Sequence, residues 1–351
     1  MFPCTGKAEP GKTLLQGEAA GFRFAAFWIT AIALLSLSLF PALAKSGRAS
    51  KPAAAQNGEY KIKTAVDLVI LRMTVLDRKG GFASGLDKDN FQVFEDGAPQ
   101  TIQSFSREDI PVTVGLIVDN SGSMRVKRPD VAAAALAFAR SSNERDEMFV
   151  VNFNDTVSFG LPPAMPFTND PGLLQTALSS IATEGQTALY DAISYGLQHL
   201  RRGTRDRKAL IVVSDGGDNA SKHTLNDIVD MTMHSDAIIY TIGLFDQNDP
   251  DRNPHVLSQL AKATGGEAFL PASLADVVPT CERIAADIRN QYTAAYEPTN
   301  KREDGTFRSI KVRAKAPGRG GLSVRTRAGY YAPSNSRSSR LIEAGHAGTA
   351  N

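Results

Sequence analysis

The chain has 351 residues, 42% of them hydrophobic and 22% charged, a balance that supports folded cores in about two ordinary domains. Its net charge of +2 is the small difference between 39 basic and 37 acidic residues spread along the chain without a long basic run, which excludes nucleic acid as an expected partner. Cys4 lies ahead of the first apolar segment and Cys281 far beyond it, so removal of that segment leaves no internal disulfide.

The first 44 residues read as an export signal. Residues 24–44 are apolar or small without a charge, follow Lys7, Lys12 and Arg23, and close on Pro41-Ala42-Leu43-Ala44. The apolar run approaches the roughly 20 residues that span a bilayer, so the segment reads either as a signal cleaved after Ala44 or as a retained membrane anchor. Both outcomes place residue 45 onward outside the cytoplasm, in the periplasm or at the cell surface. Gly6-Lys7-Ala8-Glu9-Pro10-Gly11-Lys12-Thr13 matches the phosphate-loop pattern letter for letter. That pattern works between a buried strand and a helix, and too few residues precede it for a strand. Lys7 and Lys12 are therefore read as the positive flank of the signal.

Residues 45–59 lack aromatic and β-branched side chains and read as a flexible linker. A β-rich flank is expected over 60–110, with strands at 66–76, 91–95 and 101–105 and turns at Gly80-Gly81 and Asp96-Gly97. Beyond Pro111 the pattern changes. Residues 112–118, 148–153, 209–213 and 237–242 are short, nearly unbroken apolar runs of the kind found in strands buried on both faces. Helical stretches at 131–140, 173–181, 188–200, 225–234, 256–263 and 274–288 alternate with them. The spacing predicts an α/β domain over 111–290, a doubly wound, mostly parallel sheet with helices on both faces. Cys281 falls in the last of these helices and reads as a small buried hydrophobe. Residues 291–333 return to β character, with strands at 292–296, 307–314 and 322–327, and are expected to pair with 60–110 in a small β-sandwich from which the α/β domain emerges. Residues 334–351 read as a disordered tail.

Asp119-Asn120-Ser121-Gly122-Ser123-Met124 follows the first buried strand directly. Loops at the carboxyl ends of strands in an open α/β sheet converge on a crevice, so a carboxylate and hydroxyls at spacing two can face one point. Gly185-Gln186-Thr187-Ala188 opens a helix, and Ser214-Asp215-Gly216-Gly217-Asp218 follows a later buried strand. Oxygens from three such loops suit Mg²⁺, Mn²⁺ or Ca²⁺ better than zinc. Taken alone, the Asp119 loop also reads as a turn and helix N-cap. Asp155 reads as a turn residue, and Asp218 and Asn219 as a polar turn beside the site. The five histidines show no metal-binding spacing.

The three loops resemble the metal-ion-dependent adhesion site of von Willebrand factor type A (VWA) domains, in which an Asp-x-Ser-x-Ser loop, a Thr and a second Asp hold one divalent cation. That resemblance assigns Asp119, Ser121, Ser123, Thr187 and Asp215 as ligands. The stretch from Leu86-Asp87-Lys88-Asp89-Asn90-Phe91 to Asp96-Gly97, and the ending Arg325-Thr326-Arg327-Ala328-Gly329-Tyr330-Tyr331, are similar to the bacterial VWFA-related domain proteins of the Acidobacterial type. The likeness spans roughly 60–333. It implies a non-enzymatic, metal-dependent binding or adhesion protein of the cell envelope, whose protein partner offers an acidic side chain. Contact with the membrane would run only through the N-terminal segment. Two other readings stay open: a magnesium-dependent phosphoryl-transfer enzyme with Asp119 as nucleophile, set back by Ser121 standing where a second acid is wanted, and a structural envelope scaffold.

Overall fold

The computed structural model describes residues 68–245 and 252–334. The export segment, the linker, the first residues of the flank expected from 60 and the tail beyond Ser334 lie outside the described residues.

Before the α/β unit come β1 (Val69–Leu76), β2 (Phe91–Glu95), β3 (Ala98–Gln100) and β4 (Ile102–Ser106). The unit itself contains β5 (Val112–Asp119), α1 (Arg128–Ser141), β6 (Glu147–Phe153), β7 (Val157–Phe159), α2 (Pro171–Leu178) and α3 (Leu189–Leu200). It continues with β8 (Arg207–Ser214), α4 (Leu225–Met233), β9 (Ile238–Gly243), α5 (Pro254–Thr264), β10 (Ala268–Phe269) and α6 (Val277–Arg289). Four strands follow: β11 (Tyr292–Tyr296), β12 (Phe307–Ala314), β13 (Ser323–Arg325) and β14 (Gly329–Tyr331).

The central sheet runs β10-β9-β8-β5-β6-β7. Every pairing in it is parallel except β6 with β7, a three-residue antiparallel edge. All eight residues of β5 are buried, as the unbroken apolar run requires of a strand covered by helices on both faces. Val114, Leu116, Phe149, Val151, Leu210 and Val212 join residues of α1, α3, α5 and α6 in one core. Cys281 lies inside it, and burial pushes its thiol up to about 12, which makes it a packing residue.

Helix starts follow local chemistry. Asp170 caps α2 by accepting the Gly172 and Leu173 N–H groups, two residues ahead of the start expected from periodicity, because Pro171 suits a first helical turn. A short 3-10 turn at Leu274–Asp276 precedes α6, so the helix expected from 274 starts at Val277.

The remaining strands form two antiparallel sheets, β13-β1-β11-β4 and β14-β12-β2-β3. Each mixes strands from before and after the α/β unit. β1 pairs with β11 from Val69↔Tyr296 to Met73↔Tyr292, and β2 pairs with β12 from Glu95↔Ile310 to Phe91↔Ala314. Leu71, Met73, Phe91, Val93, Tyr292, Tyr296 and Ile310 share a second core. The α/β unit is thus inserted between β4 and β11. It is fastened to these sheets by side chains that reach its base. Arg72 donates to the Asp206 and Asp236 carbonyls, Arg327 to the Met233 carbonyl, and Arg325 to the Asp287 and Glu267 carboxylates. Among the described residues no helix is long and apolar enough to cross a membrane.

Candidate metal centre

Two strand-to-helix connections, after β5 and β8, and the loop between α2 and α3 meet at the carboxyl edge of β5, β6 and β8. Asp119 is the last residue of β5 and is fully buried. Its Oδ1 accepts the Ser121 N–H at 2.8 Å, a turn that bends the chain back across the strand end, and its Oδ2 accepts the Ser214 hydroxyl at 2.7 Å. Ser121 and Ser123 lie with their Oγ atoms 3.2 Å apart, and the Ser123 hydroxyl donates to Asp215 Oδ2 at 2.6 Å. Asp215 is itself buried, one residue past the end of β8. Asp119, Ser121, Ser123 and Asp215 are therefore drawn into one side-chain cluster.

Thr187 reaches the same edge on the third loop. The Gly122 N–H donates to the Gly185 carbonyl at 3.2 Å and the Glu184 N–H to the Asn120 carbonyl at 2.9 Å, which ties this loop to the first. The Thr187 N–H donates to Asn219 Oδ1 at 2.9 Å, and the Thr187 carbonyl accepts the Asn219 and Ala220 N–H groups at 3.0 and 3.1 Å, which ties it to the loop after β8 that carries Asp215. Thr187 is buried at the head of α3. Asp218 fixes that helix by accepting the Tyr190 N–H at 3.0 Å and the Ser221 hydroxyl at 2.6 Å. Asp218 and Asn219 thus do more than form a polar turn: they hold the main chain of the Thr187 loop.

Two neighbouring acids dominate the electrostatics of the cluster. Burial pushes the Asp119 carboxyl up to about 6, hydrogen bonds from Ser121 and Ser214 oppose this, and the neighbouring Asp215 charge adds to it. The Arg128 guanidinium is near enough to feel Asp119, yet it donates to the Leu178 carbonyl. Among the described residues no group of three or more His, Cys, Asp or Glu side chains gathers in one place, so the donor set consists of two carboxylates and hydroxyl oxygens. Such hard oxygens, with two acids close together in a buried setting, fit a divalent cation of the magnesium or calcium type. A backbone feature supports the crowding: Gly216 has φ +82°, and a Cβ there would lie 2.3 Å from the Asn253 carbonyl oxygen, so only glycine brings α5 this close to the Asp215 loop.

Three of the described histidines have partners outside the five ligand positions. His199 is buried, with its ring 4.5, 4.6 and 5.0 Å from those of Phe149, Phe159 and Phe167. His223 Nδ1 lies 2.6 Å from Asp191 Oδ1, and His234 stacks on Tyr331.

Residues 114–217 match the family model for the von Willebrand factor type A domain. That span runs from β5 to the Asp215 loop, so the part of the chain that carries β5, β6, β8 and the five candidate ligand positions is the part that matches a von Willebrand factor type A domain. Among solved structures it is similar to a von Willebrand factor type A protein from Catenulispora acidiphila, at 14% identity and a TM-score of 0.47, over 77% of this chain and 75% of that one. It is also similar to the von Willebrand domain of a type V pilus tip protein from Porphyromonas gingivalis, at 14% identity and a TM-score of 0.43, over 51% of this chain and 95% of that one. A third likeness is to BatB from Bacteroides thetaiotaomicron, at 16% identity and a TM-score of 0.41, over 50% of this chain and 98% of that one. No curated protein matches the chain.

Proposed function

We propose that the chain is an exported, non-enzymatic protein of the cell envelope that binds a protein partner through a divalent cation held by Asp119, Ser121, Ser123, Thr187 and Asp215. The observation that carries this reading is the convergence of the three loops, with Ser123 bonded to Asp215 and Ser214 bonded to Asp119 across β5 and β8. When bound, Mg²⁺ or Mn²⁺ would supply a positive centre with a water-filled position open to a carboxylate of the partner.

The chain's own groups prepare that site. The Ser121 N–H and the Ser214 hydroxyl fix the two oxygens of Asp119, so its carboxylate meets an incoming cation already oriented. The Ser123 hydroxyl does the same for one oxygen of Asp215. Asn219 secures the main chain of Thr187. With neutral hydroxyls and only two carboxylates, the site carries no excess negative charge once a divalent ion is bound, so an acidic partner group can approach the ion without net repulsion.

The phosphoryl-transfer reading is the weaker one on this geometry. Ser121 stands two residues after Asp119, where that chemistry wants a second acid, and its hydroxyl cannot serve as one. Envelope extract passed over the immobilised chain tests the proposal. Proteins retained in Mg²⁺ are expected to be lost with chelator and absent from the Asp119→Ala variant. Retention indifferent to both would favour the scaffold reading, and phosphate-ester turnover abolished by Asp119→Asn would favour the enzyme.

A further inference from the structure

Asp155 stands in the turn between β6 and β7, outside the five ligand positions. Its side chain leaves its own hairpin: Oδ1 accepts the N–H of Gln186, the residue immediately before Thr187. One residue earlier, the Asn154 carbonyl accepts the Ala188 N–H at 2.8 Å. The turn therefore grips the loop on both sides of Thr187.

The approach is close enough to set the sequence of the loop. Gly185 has φ +85°, and a Cβ there would lie 2.5 Å from Asp155 Oδ2, so the carboxylate rests directly against the glycine backbone. From the opposite side Asn219 accepts the Thr187 N–H. Thr187 is thereby held between two elements that are far apart in the chain. Asp155 itself is exposed and contributes no side-chain volume to the core. Its effect falls on the placement of the loop.

We propose that Asp155 is a positioning residue of the cation site, fixing the loop that presents Thr187. This rests on the reading of the site given above. The role is geometric: what matters is an oxygen to accept the Gln186 N–H, not the negative charge. Groups that orient metal ligands in this indirect way typically account for about tenfold to a hundredfold in metal affinity.

The test is calorimetric titration of the full chain with Mn²⁺, beside thermal melting in chelator. Asp155→Ala is expected to weaken Mn²⁺ binding about tenfold or more while the metal-free melting temperature stays close to that of the unsubstituted chain. Asp155→Asn keeps an accepting oxygen and is expected to recover most of the affinity. Unchanged affinity in Asp155→Ala overturns the assignment and leaves the site reading intact. Equal losses in the Ala and Asn variants overturn it in favour of charge, and a matching fall in metal-free stability overturns it in favour of plain structural support. If the unsubstituted chain takes up no Mn²⁺, the site reading falls and the assignment with it.

Discussion

At the scale of single residues, the site was legible where identity and position coincide. Asp119, Ser121 and Ser123 fall directly after an apolar run, and Asp215 directly after another, so their letters announce both the chemistry and the strand end that presents it. Asp155 was not legible, because its partner is a main-chain N–H 31 residues away, and Asn-Asp-Thr after a strand looks like any polar turn. His199 was equally hidden: only the fold surrounds it with three phenylalanine rings. Burial holds the His199 imidazole below the ordinary histidine value, with Arg202 acting in the same direction and the Pro166 carbonyl opposing. The unfolded chain then binds more protons than the folded one between the two values, so this residue's stability contribution is complete above about pH 6.5 and is lost as the pH falls toward the folded value. Urea unfolding from pH 7.5 to 5 is expected to show a steeper loss for the unsubstituted chain than for His199→Leu; parallel curves would contradict it. Gly216→Ala must force a side chain into a positive-φ position against the Asn253 carbonyl, and is expected to cost at least ~1 kcal/mol in the same assay.

Among elements, α6 shows how the inserted unit is fastened. Asp287 is buried near its end, and its carboxylate receives the Thr74 hydroxyl from β1 and the Arg325 guanidinium from β13. Glu267, next to β10, shares the same guanidinium. Removing one partner of a buried pair leaves the other uncompensated, at about 3 kcal/mol or more, while an apolar replacement of both is often close to neutral. Arg325→Leu is therefore expected to destabilise strongly in urea unfolding, and Arg325→Leu with Asp287→Leu to recover most of the loss. A double variant no better than the single one would mean that the pair is not the source of the effect. Periodicity made the long elements legible, since β5, β6, β8 and β9 are built on nearly unbroken apolar runs and α3 carries a clear apolar face. It missed β3, β7, β10 and β14, which have two or three residues each and take their pairing from strands already in place.

For the whole molecule, the insertion makes the two ends of the described chain depend on each other. β11 lies between β1 and β4, and β12 lies between β2 and β14, so deleting residues 291–334 strips both sheets of a central strand and opens the second core. That truncation is expected to raise binding of a hydrophobic dye sharply relative to the full chain, and unchanged binding would show that the sheets hold without β11 and β12. The α/β class could be read from the alternation of apolar runs and helices. The order of strands within the two smaller sheets could not, because pairing across the insertion leaves no local trace in either flank. We propose that the three loops at the β5–β8 edge form one cation site. Its most direct measurement is isothermal titration of the chain with Mg²⁺. The expected result is saturable binding of one ion per chain, absent in Asp119→Ala and in Asp215→Ala; titration without heat or thermal stabilisation, or undiminished binding in both variants, would contradict it.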